Sequence, residues 1–121
     1  MSDFARDLVG RPFDEGALVP DRFYCYGLVR WVLGTEAGVW LPEGILGWRR
    51  FVEILPFGGA TERLDVLLLS EQGAGLADHV GICDGRGNFL HADKKKGQVV
   101  CEPVSRHARK ILFLARLRRA A

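Results

Sequence analysis

The sequence predicts an α+β domain in which helices come first and an antiparallel sheet of about five strands follows. Before residue 65, apolar residues recur at helical spacing between breaks rich in glycine and proline. From residue 65 the pattern changes to short apolar runs of strand length, separated by glycine-rich or charged turns. A chain of 121 residues with 48% apolar residues suits one compact domain covering residues 1–121.

Two helices are expected near the start of the chain. The first covers residues 2–9, whose apolar positions fit a helical period and stop before Gly10. The second runs from residue 23 to residue 33, with Asp21 as its cap and Gly34 at its end. Because almost every residue of this second segment is apolar, we expect it to be a buried helix.

A third helix and the strands complete the predicted order of elements. Residues 43–54 carry apolar groups at a spacing that suits a half-exposed helix. The strands are expected in the runs DVLLLS, HVGICD, NFLHAD, QVVCEPV and ILFLARLR. Since short turns separate them, we expect consecutive strands to pair antiparallel.

Charge and cysteine content exclude several classes of function. Seventeen basic and fifteen acidic residues give a net charge of only +2, so no nucleic-acid partner is expected. The first residues lack the pattern of a signal peptide, and no apolar stretch approaches the roughly 18 residues that span a bilayer. Three cysteines are too few for a disulfide framework. We expect reduced thiols, no cofactor and no membrane span.

Cys25, His79 and His91 are the candidate catalytic residues. Cys25 lies near the predicted start of the buried helix, where free backbone amides and the helix dipole stabilise a thiolate. A hairpin with an odd-numbered loop centred on Gly85 would place His79 directly opposite His91 on one face of the sheet. A thiol needs a base, and the base needs an orienting group. We therefore expect Cys25 as nucleophile, His79 as base and His91 as the residue that fixes its tautomer.

These motifs together resemble the NlpC-like cell-wall cysteine peptidases, a compact branch of the papain-like superfamily. The sequence GRPF is similar to the family's opening motif, YCYGLVRWVL to its nucleophile helix, WLP to the Leu-Pro segment that follows, RLDVLLLS to its first strand, and DHVGICDGRGNFLHA to the strands carrying its histidines. The resemblance covers nearly the whole chain. It implies an NlpC-type, papain-like fold with N-terminal helices packed on the sheet, and a triad of Cys25, His79 and His91.

The same resemblance implies the substrate. Members of the family act on the peptide stems of peptidoglycan, commonly at the bond from γ-D-glutamate to a diamino acid. An acyltransferase of the same superfamily would use the same three residues with another acceptor, and this alternative stays open.

Two positions depart from the family's pattern. Tyr24 precedes the cysteine where members usually carry Asp, and Phe13 stands where members often have a Tyr whose hydroxyl helps to stabilise the oxyanion. Tyr24 and Tyr26 are candidates for a substitute hydroxyl. These departures support an alternative in which the domain is a weak or inactive, structural or murein-binding component of a tail tip.

Two further expectations concern metals and setting. Cys83 shares the strand parity of His79, but a metal site of Cys25, His79, Cys83 and His91 lacks the paired short spacing of most zinc sites, so no metal is expected. A short catalytic domain with no visible export signal resembles family members in phage tails and injection particles. Tail proteins are therefore expected partners, and the virion, acting at the bacterial cell wall, is the expected location.

Overall fold

The structure, a computed structural model, describes residues 3–15, 22–73 and 75–118. The helices are α1 (Asp3–Leu8), α2 (Cys25–Ala37), α3 (Ile45–Trp48) and a 3-10 helix at Val104–Lys110. The strands are β1 (Val52–Pro56), β2 (Val66–Leu69), β3 (His79–Cys83), β4 (Asn88–Asp93), β5 (Gln98–Pro103) and β6 (Ile111–Leu117). They form one antiparallel sheet in the order β1-β6-β2-β3-β4-β5. The predicted α+β class is confirmed, with six strands in place of about five. Across these ranges, every helix is too short or too polar to cross a membrane.

Helix α2 packs on strands β3 and β4. It is buried along one side only, rather than all round as the sequence predicts, since Arg30 and residues 35–37 are exposed. Its buried side chains are Leu28, Val29, Val32 and Leu33. The helix runs past Gly34 to Ala37, so the predicted end at Gly34 is wrong. Gly34 serves packing instead, because a Cβ there would lie 2.3 Å from the ring of Trp40. The helix ends at Gly38, whose φ of 69° is the left-handed conformation common at this position.

The predicted helix over residues 43–54 is wrong in its second half. Only Ile45–Trp48 is helical, and residues 52–56 form strand β1. This strand pairs with β6, so that Val52 faces Leu117. Over so few residues, apolar spacing fits either a helix or a strand, and here the pairing with a distant part of the chain decides.

Side chains are buried on both faces of the sheet. Neighbouring residues of β2 alternate between two apolar clusters, as the two-residue period of a strand requires. The cluster on the side of α1 and α2 includes Val66, Leu68, Ile82, Leu90 and Val99. The opposite cluster contains Leu67, Leu69, Cys83, Phe89, Val104, Ile111 and Leu114. Cys83 is therefore a core residue.

The β3–β4 hairpin closes around the three-residue loop at residues 85–87. The backbone N–H of Asp84 donates to the carbonyl oxygen of Asn88 at 3.0 Å, so the loop is odd-numbered, as predicted, but centred on Arg86 rather than Gly85. The carboxylate of Asp84 accepts hydrogen bonds from the backbone N–H groups of Arg86 and Asn88 at 2.7 and 3.2 Å. These bonds stabilise the turn at this position.

The centre of the hairpin decides how the two histidines face each other. His79 and His91 share a face, as predicted, but the register places Gly81, not His79, opposite His91. The prediction that His79 lies directly opposite His91 is therefore wrong by the two residues that separate His79 from Gly81. The two histidines are diagonal neighbours, still within reach of each other. Gly81 makes room for the ring of Phe89, which would lie 2.5 Å from a Cβ at that position.

The segment after α1 brings Phe13 beside the start of α2. The backbone N–H of Phe13 donates to the carbonyl oxygen of Gly97 at 2.8 Å, and that of Phe23 donates to Pro12 at 2.9 Å. Phe13 and Phe23 thereby form an isolated parallel bridge. The predicted cap, Asp21, lies outside the described residues.

Candidate active site

Cys25, His79 and His91 line one open cleft of about 760 Å³ where the start of α2 meets the sheet. Phe13 and the lysines of the β4–β5 turn, residues 94–96, also line this cleft. The structure thus brings the three predicted residues to one solvent-connected site, although they come from two parts of the chain far apart in sequence.

Cys25 is the first residue of α2, preceded by Tyr24, whose side chain makes no capping hydrogen bond. Burial raises the pKa of the Cys25 thiol above its ordinary value, while hydrogen bonds from the backbone of Val80 and Tyr26 act in the opposite direction. The sequence predicts a stabilised thiolate here, and the structure differs in direction because burial outweighs the backbone hydrogen bonds. Without substrate, the surroundings of Cys25 therefore favour the neutral thiol.

His79 is the first residue of β3 and lies beside His91. The Nε2 atom of His79 is 2.9 Å from the Nδ1 atom of His91, and the two rings are nearly perpendicular, at 81°. This contact engages the Nε2 atom of His79 and leaves its Nδ1 atom to other partners. Burial, aided by the neighbouring His91, lowers the pKa of His79 to about 4. At neutral pH His79 is therefore uncharged and able to accept a proton.

His91 is buried, with 3% of its surface exposed, and packs against the aromatic ring of Phe89. The two rings are stacked at 14°, with centroids 4.7 Å apart. The Nε2 atom of His91 is 2.7 Å from the Oε1 atom of Glu102. Burial lowers the pKa of His91, and the hydrogen bond with Glu102 opposes that effect without cancelling it. His91 is thus held at both ring nitrogens.

Glu102 on β5 is the site residue that the sequence analysis missed. It is 7% exposed, and its Oε2 atom lies 3.2 Å from the guanidinium of Arg106 and 3.7 Å from the ammonium of Lys96. Burial raises the pKa of this carboxyl, but the hydrogen bond with His91, together with the charge of Lys96, outweighs burial and holds the pKa at about 2. The signal in the sequence is a single charged residue inside the apolar run QVVCEPV. In the β4–β5 register it lies opposite Phe89, on the same face of the sheet as His91.

A group of three side chains in this region could meet at one metal ion. The candidate donor atoms of His91, Glu102 and His107 all lie within 4.8 Å of one another. The positive charges of Arg106 and Lys96 already face this carboxylate and oppose a further cation. The structure does not add Cys83 to the cleft, so the metal set weighed from the sequence is not assembled.

The hydroxyl expected for the oxyanion is missing at Phe13, which lines the cleft with an apolar ring. Tyr26 is not a ready substitute, because its hydroxyl lies 3.1 Å from the carbonyl oxygen of Leu41 and donates to that of Pro42. Of the two tyrosines considered from the sequence, Tyr24 stays the candidate.

Comparison with known proteins agrees with this geometry. Residues 10–117 match the sequence profile described as the NlpC/P60 family. The chain is similar to the NlpC/p60 domain of the peptidoglycan hydrolase SagA, with a TM-score of 0.70 and 23% identity over 91% of this chain and 90% of that one. NlpC2 from Trichomonas vaginalis gives a TM-score of 0.79 and 16% identity over 97% of this chain and 45% of that one. The peptidoglycan hydrolase RipB from Mycobacterium tuberculosis gives a TM-score of 0.71 and 24% identity over 96% of this chain and 62% of that one. The chain thus spans less than two thirds of NlpC2 and of RipB. No protein with a curated description matches the sequence.

Proposed function

Because the chain belongs to the NlpC/P60 family, we propose that it is a cysteine peptidase that cleaves the peptide stems of bacterial peptidoglycan. The observation that carries this proposal is the cleft that Cys25 lines together with the hydrogen-bonded pair of His79 and His91. The bond proposed is the amide from γ-D-glutamate to the diamino acid of the stem. The peptidoglycan hydrolases among the structural relatives support this substrate class.

Acylation begins with transfer of the Cys25 thiol proton to Nδ1 of His79 as the sulfur adds to the carbonyl carbon. His79 becomes an imidazolium, whose Nε2–H faces His91. The carbonyl oxygen becomes an oxyanion, for which the backbone N–H groups of the first turn of α2 are the available donors. A neutral thiol and a neutral imidazole are the reactants that this step needs.

Deacylation uses the same base. When the tetrahedral species collapses, its C–N bond breaks and the leaving amine takes the proton from Nδ1 of His79. The acyl group remains on Cys25 as a thioester. A water molecule then gives a proton to His79 and adds to the thioester carbon, and the thiolate leaves and takes that proton back. The products are a free amine and a free carboxyl group.

The charges around the cleft support a peptide substrate of mixed charge. Lysines 94–96 line the cleft at the β4–β5 turn, and Glu71 and Asp78 line it at the β2–β3 connection. A peptidoglycan stem carries free carboxylates and, at its diamino acid, an ammonium group. Complementary charges of this kind orient a ligand more than they tighten its binding.

A second candidate is a non-catalytic domain that binds or plugs the cell wall. Two observations favour it: Phe13 supplies no hydroxyl, and Tyr24 precedes Cys25 where family members usually carry Asp. A position in a phage tail or related particle stays a prediction that rests on the resemblance of the sequence.

Digestion of purified peptidoglycan tests the proposal. Walls with different stem chemistries are incubated with the wild type, with Cys25→Ala and with Cys101→Ala, which alters another half-buried cysteine. Mass spectrometry identifies new amino and carboxyl ends. We expect new ends with the wild type and Cys101→Ala and none with Cys25→Ala. No new ends from the wild type on any wall would overturn the peptidase and leave the non-catalytic candidate.

A further inference from the structure

Three buried carboxylates in the described part of the chain can be compared by what they bind: Asp65, Asp84 and Glu102. Asp65 accepts two hydrogen bonds from Arg116, at 2.9 and 2.8 Å, and one from a backbone N–H, and so holds strand to strand. Asp84 binds backbone N–H groups of its own loop. Glu102 alone of the three contacts a histidine of the cleft.

From this contact we infer that Glu102 is a positioning residue, which fixes the tautomers of His91 and, through it, of His79. An ionised carboxylate only accepts hydrogen bonds, so the Nε2 atom of His91 must carry the proton that lies between them. Neutral His91 then has a free electron pair at Nδ1, which accepts the hydrogen bond from Nε2–H of His79. The inference rests on the proposed function for its catalytic meaning.

The consequence reaches the thiol. With its proton on Nε2, neutral His79 has its free electron pair at Nδ1, the nitrogen left for Cys25. This is the tautomer that a base for the thiol must have. The opposite tautomer would present an N–H to Cys25 and could not accept its proton. Glu102 therefore sets, over two hydrogen bonds, which nitrogen of His79 is basic.

The surroundings of Glu102 hold the carboxylate in place for this role. Its Oε1 atom faces His91, and its Oε2 atom faces Arg106, Lys96 and, at 3.5 Å, the Nε2 atom of His107. Because the two oxygens have different partners, the carboxylate has a defined orientation. Arg106 and Lys96 on the Oε2 side supply positive charge, which favours the ionised form after burial.

Glu102→Gln is the sharpest change to make. The amide keeps the size of the carboxylate but has one oxygen and one NH₂ group. Arg106 and Lys96 favour the oxygen on their side, which turns the NH₂ group toward Nε2 of His91. His91 must then carry its proton on Nδ1, and His79 is forced into the tautomer that presents N–H to the thiol.

Nuclear magnetic resonance measures these tautomers directly, and with three histidines in the chain their signals are few enough to assign. Protein labelled with ¹⁵N-histidine is compared with its Glu102→Gln variant in long-range ¹H–¹⁵N spectra at pH 7. We expect Nε2–H tautomers of both His79 and His91 in the wild type, and an Nδ1–H tautomer of His91 in the variant. An Nδ1–H tautomer of His91 in the wild type would overturn the inference, even if the variant did not fold.

Kinetics supply the second arm. We expect Glu102→Gln to lower kcat by ~10²-fold or more with a much smaller change in KM, because the buried Glu102 acts on the base through His91. Asp65→Asn is the matched control: it weakens another buried carboxylate pair, and we expect a lower unfolding temperature with unchanged tautomers and kcat. Unchanged tautomers and kcat in Glu102→Gln would overturn the inference while peptidase activity stands. If the wild type shows the expected tautomers but cleaves no peptidoglycan, the proposed function is overturned and the inference about Glu102 stands.

Discussion

The two sides of the cleft differ in how much of their chemistry is in place before a substrate binds. On the sheet side, His79, His91 and Glu102 are joined by hydrogen bonds of 2.9 and 2.7 Å, and the last two are buried. On the helix side, burial raises the pKa of Cys25, and Phe13 contributes an apolar ring. In the proposed mechanism, the base is therefore oriented before substrate binds, whereas the thiol is neutral at rest.

The difference follows from what each element can hold. Three adjacent strands bring polar side chains from separate positions into one row, and each strand fixes its side chain on the same face. A helix start offers mainly backbone N–H groups, which become useful once an oxyanion forms between them. In the proposed mechanism, the sheet thus holds the groups that transfer the proton, and the helix supplies donors for the oxyanion.

Removal of the base on the sheet side should lower kcat the most. We expect His79→Ala to lower kcat by ~10⁴-fold or more, because the neutral thiol then has no proton acceptor. Arg86→Ala, an exposed change in the hairpin loop, is the control and should leave kcat unchanged. Peptidoglycan digestion rates measure both. A loss below tenfold in His79→Ala would mean that the thiol does not depend on this base.

His91 should matter less than His79, because it orients the base and does not take the proton. We expect His91→Ala to lower kcat by about 10- to 100-fold. His91→Asn should retain more activity, since its side-chain oxygen can still accept a hydrogen bond from His79. Equal losses in the two variants, measured at equal folded fraction, would show that the orienting hydrogen bond is not what His91 contributes.

The lowered pKa of His79 predicts activity at acidic pH. Because His79 acts in its neutral form and its pKa is about 4, the acid limb of kcat/KM should lie near pH 4 rather than near 6.5. The unfolded chain binds a proton at this position between about pH 6.5 and 4 and the folded chain does not, so stability should fall as pH falls through that window. An acid limb of kcat/KM near pH 6.5 would contradict burial of the base.

Restoring the missing hydroxyl on the helix side of the cleft should give the smallest change in kcat. We expect Phe13→Tyr to raise kcat by about 10-fold, because a hydroxyl in the cleft adds a donor for the oxyanion. Tyr24→Phe should lower kcat by a similar factor if its hydroxyl is the substitute. No change in either variant would show that backbone N–H groups alone bind the oxyanion.

The sheet side also shows where prediction from sequence succeeds and stops. The runs after residue 65 predict the strands well, because alternation and turns are local signals. The expected pairing of consecutive strands is wrong for the last one, because β6 lies between β1 and β2 rather than beside β5. The predicted hairpin centre, Gly85, lies one residue before the observed centre, Arg86, because the carboxylate of Asp84 binds its own loop and shifts the closure. Glu102 was missed because its contact with His91 depends on pairing between β4 and β5, which spacing within one strand does not reveal.

The helix side was predicted less well. Helix α2 passes Gly34, against which Trp40 packs, and residues 52–56 join the sheet because β6 pairs with them. The second outcome depends on a partner far away in the sequence. The acidity of Cys25 was predicted in the wrong direction, since position at a helix start can be read from sequence but depth of burial cannot.

The reactivity of Cys25 toward iodoacetamide across pH tests the difference between the two sides most directly. Alkylation is followed by mass spectrometry of the peptide that carries Cys25, with Cys101 as the internal reference. We expect the rate at Cys25 to rise with an apparent pKa above the ordinary value of 9.0, with no plateau near neutral pH. A plateau of high reactivity between about pH 5 and 7 would reveal a resting thiolate and would contradict a neutral nucleophile facing a preset base.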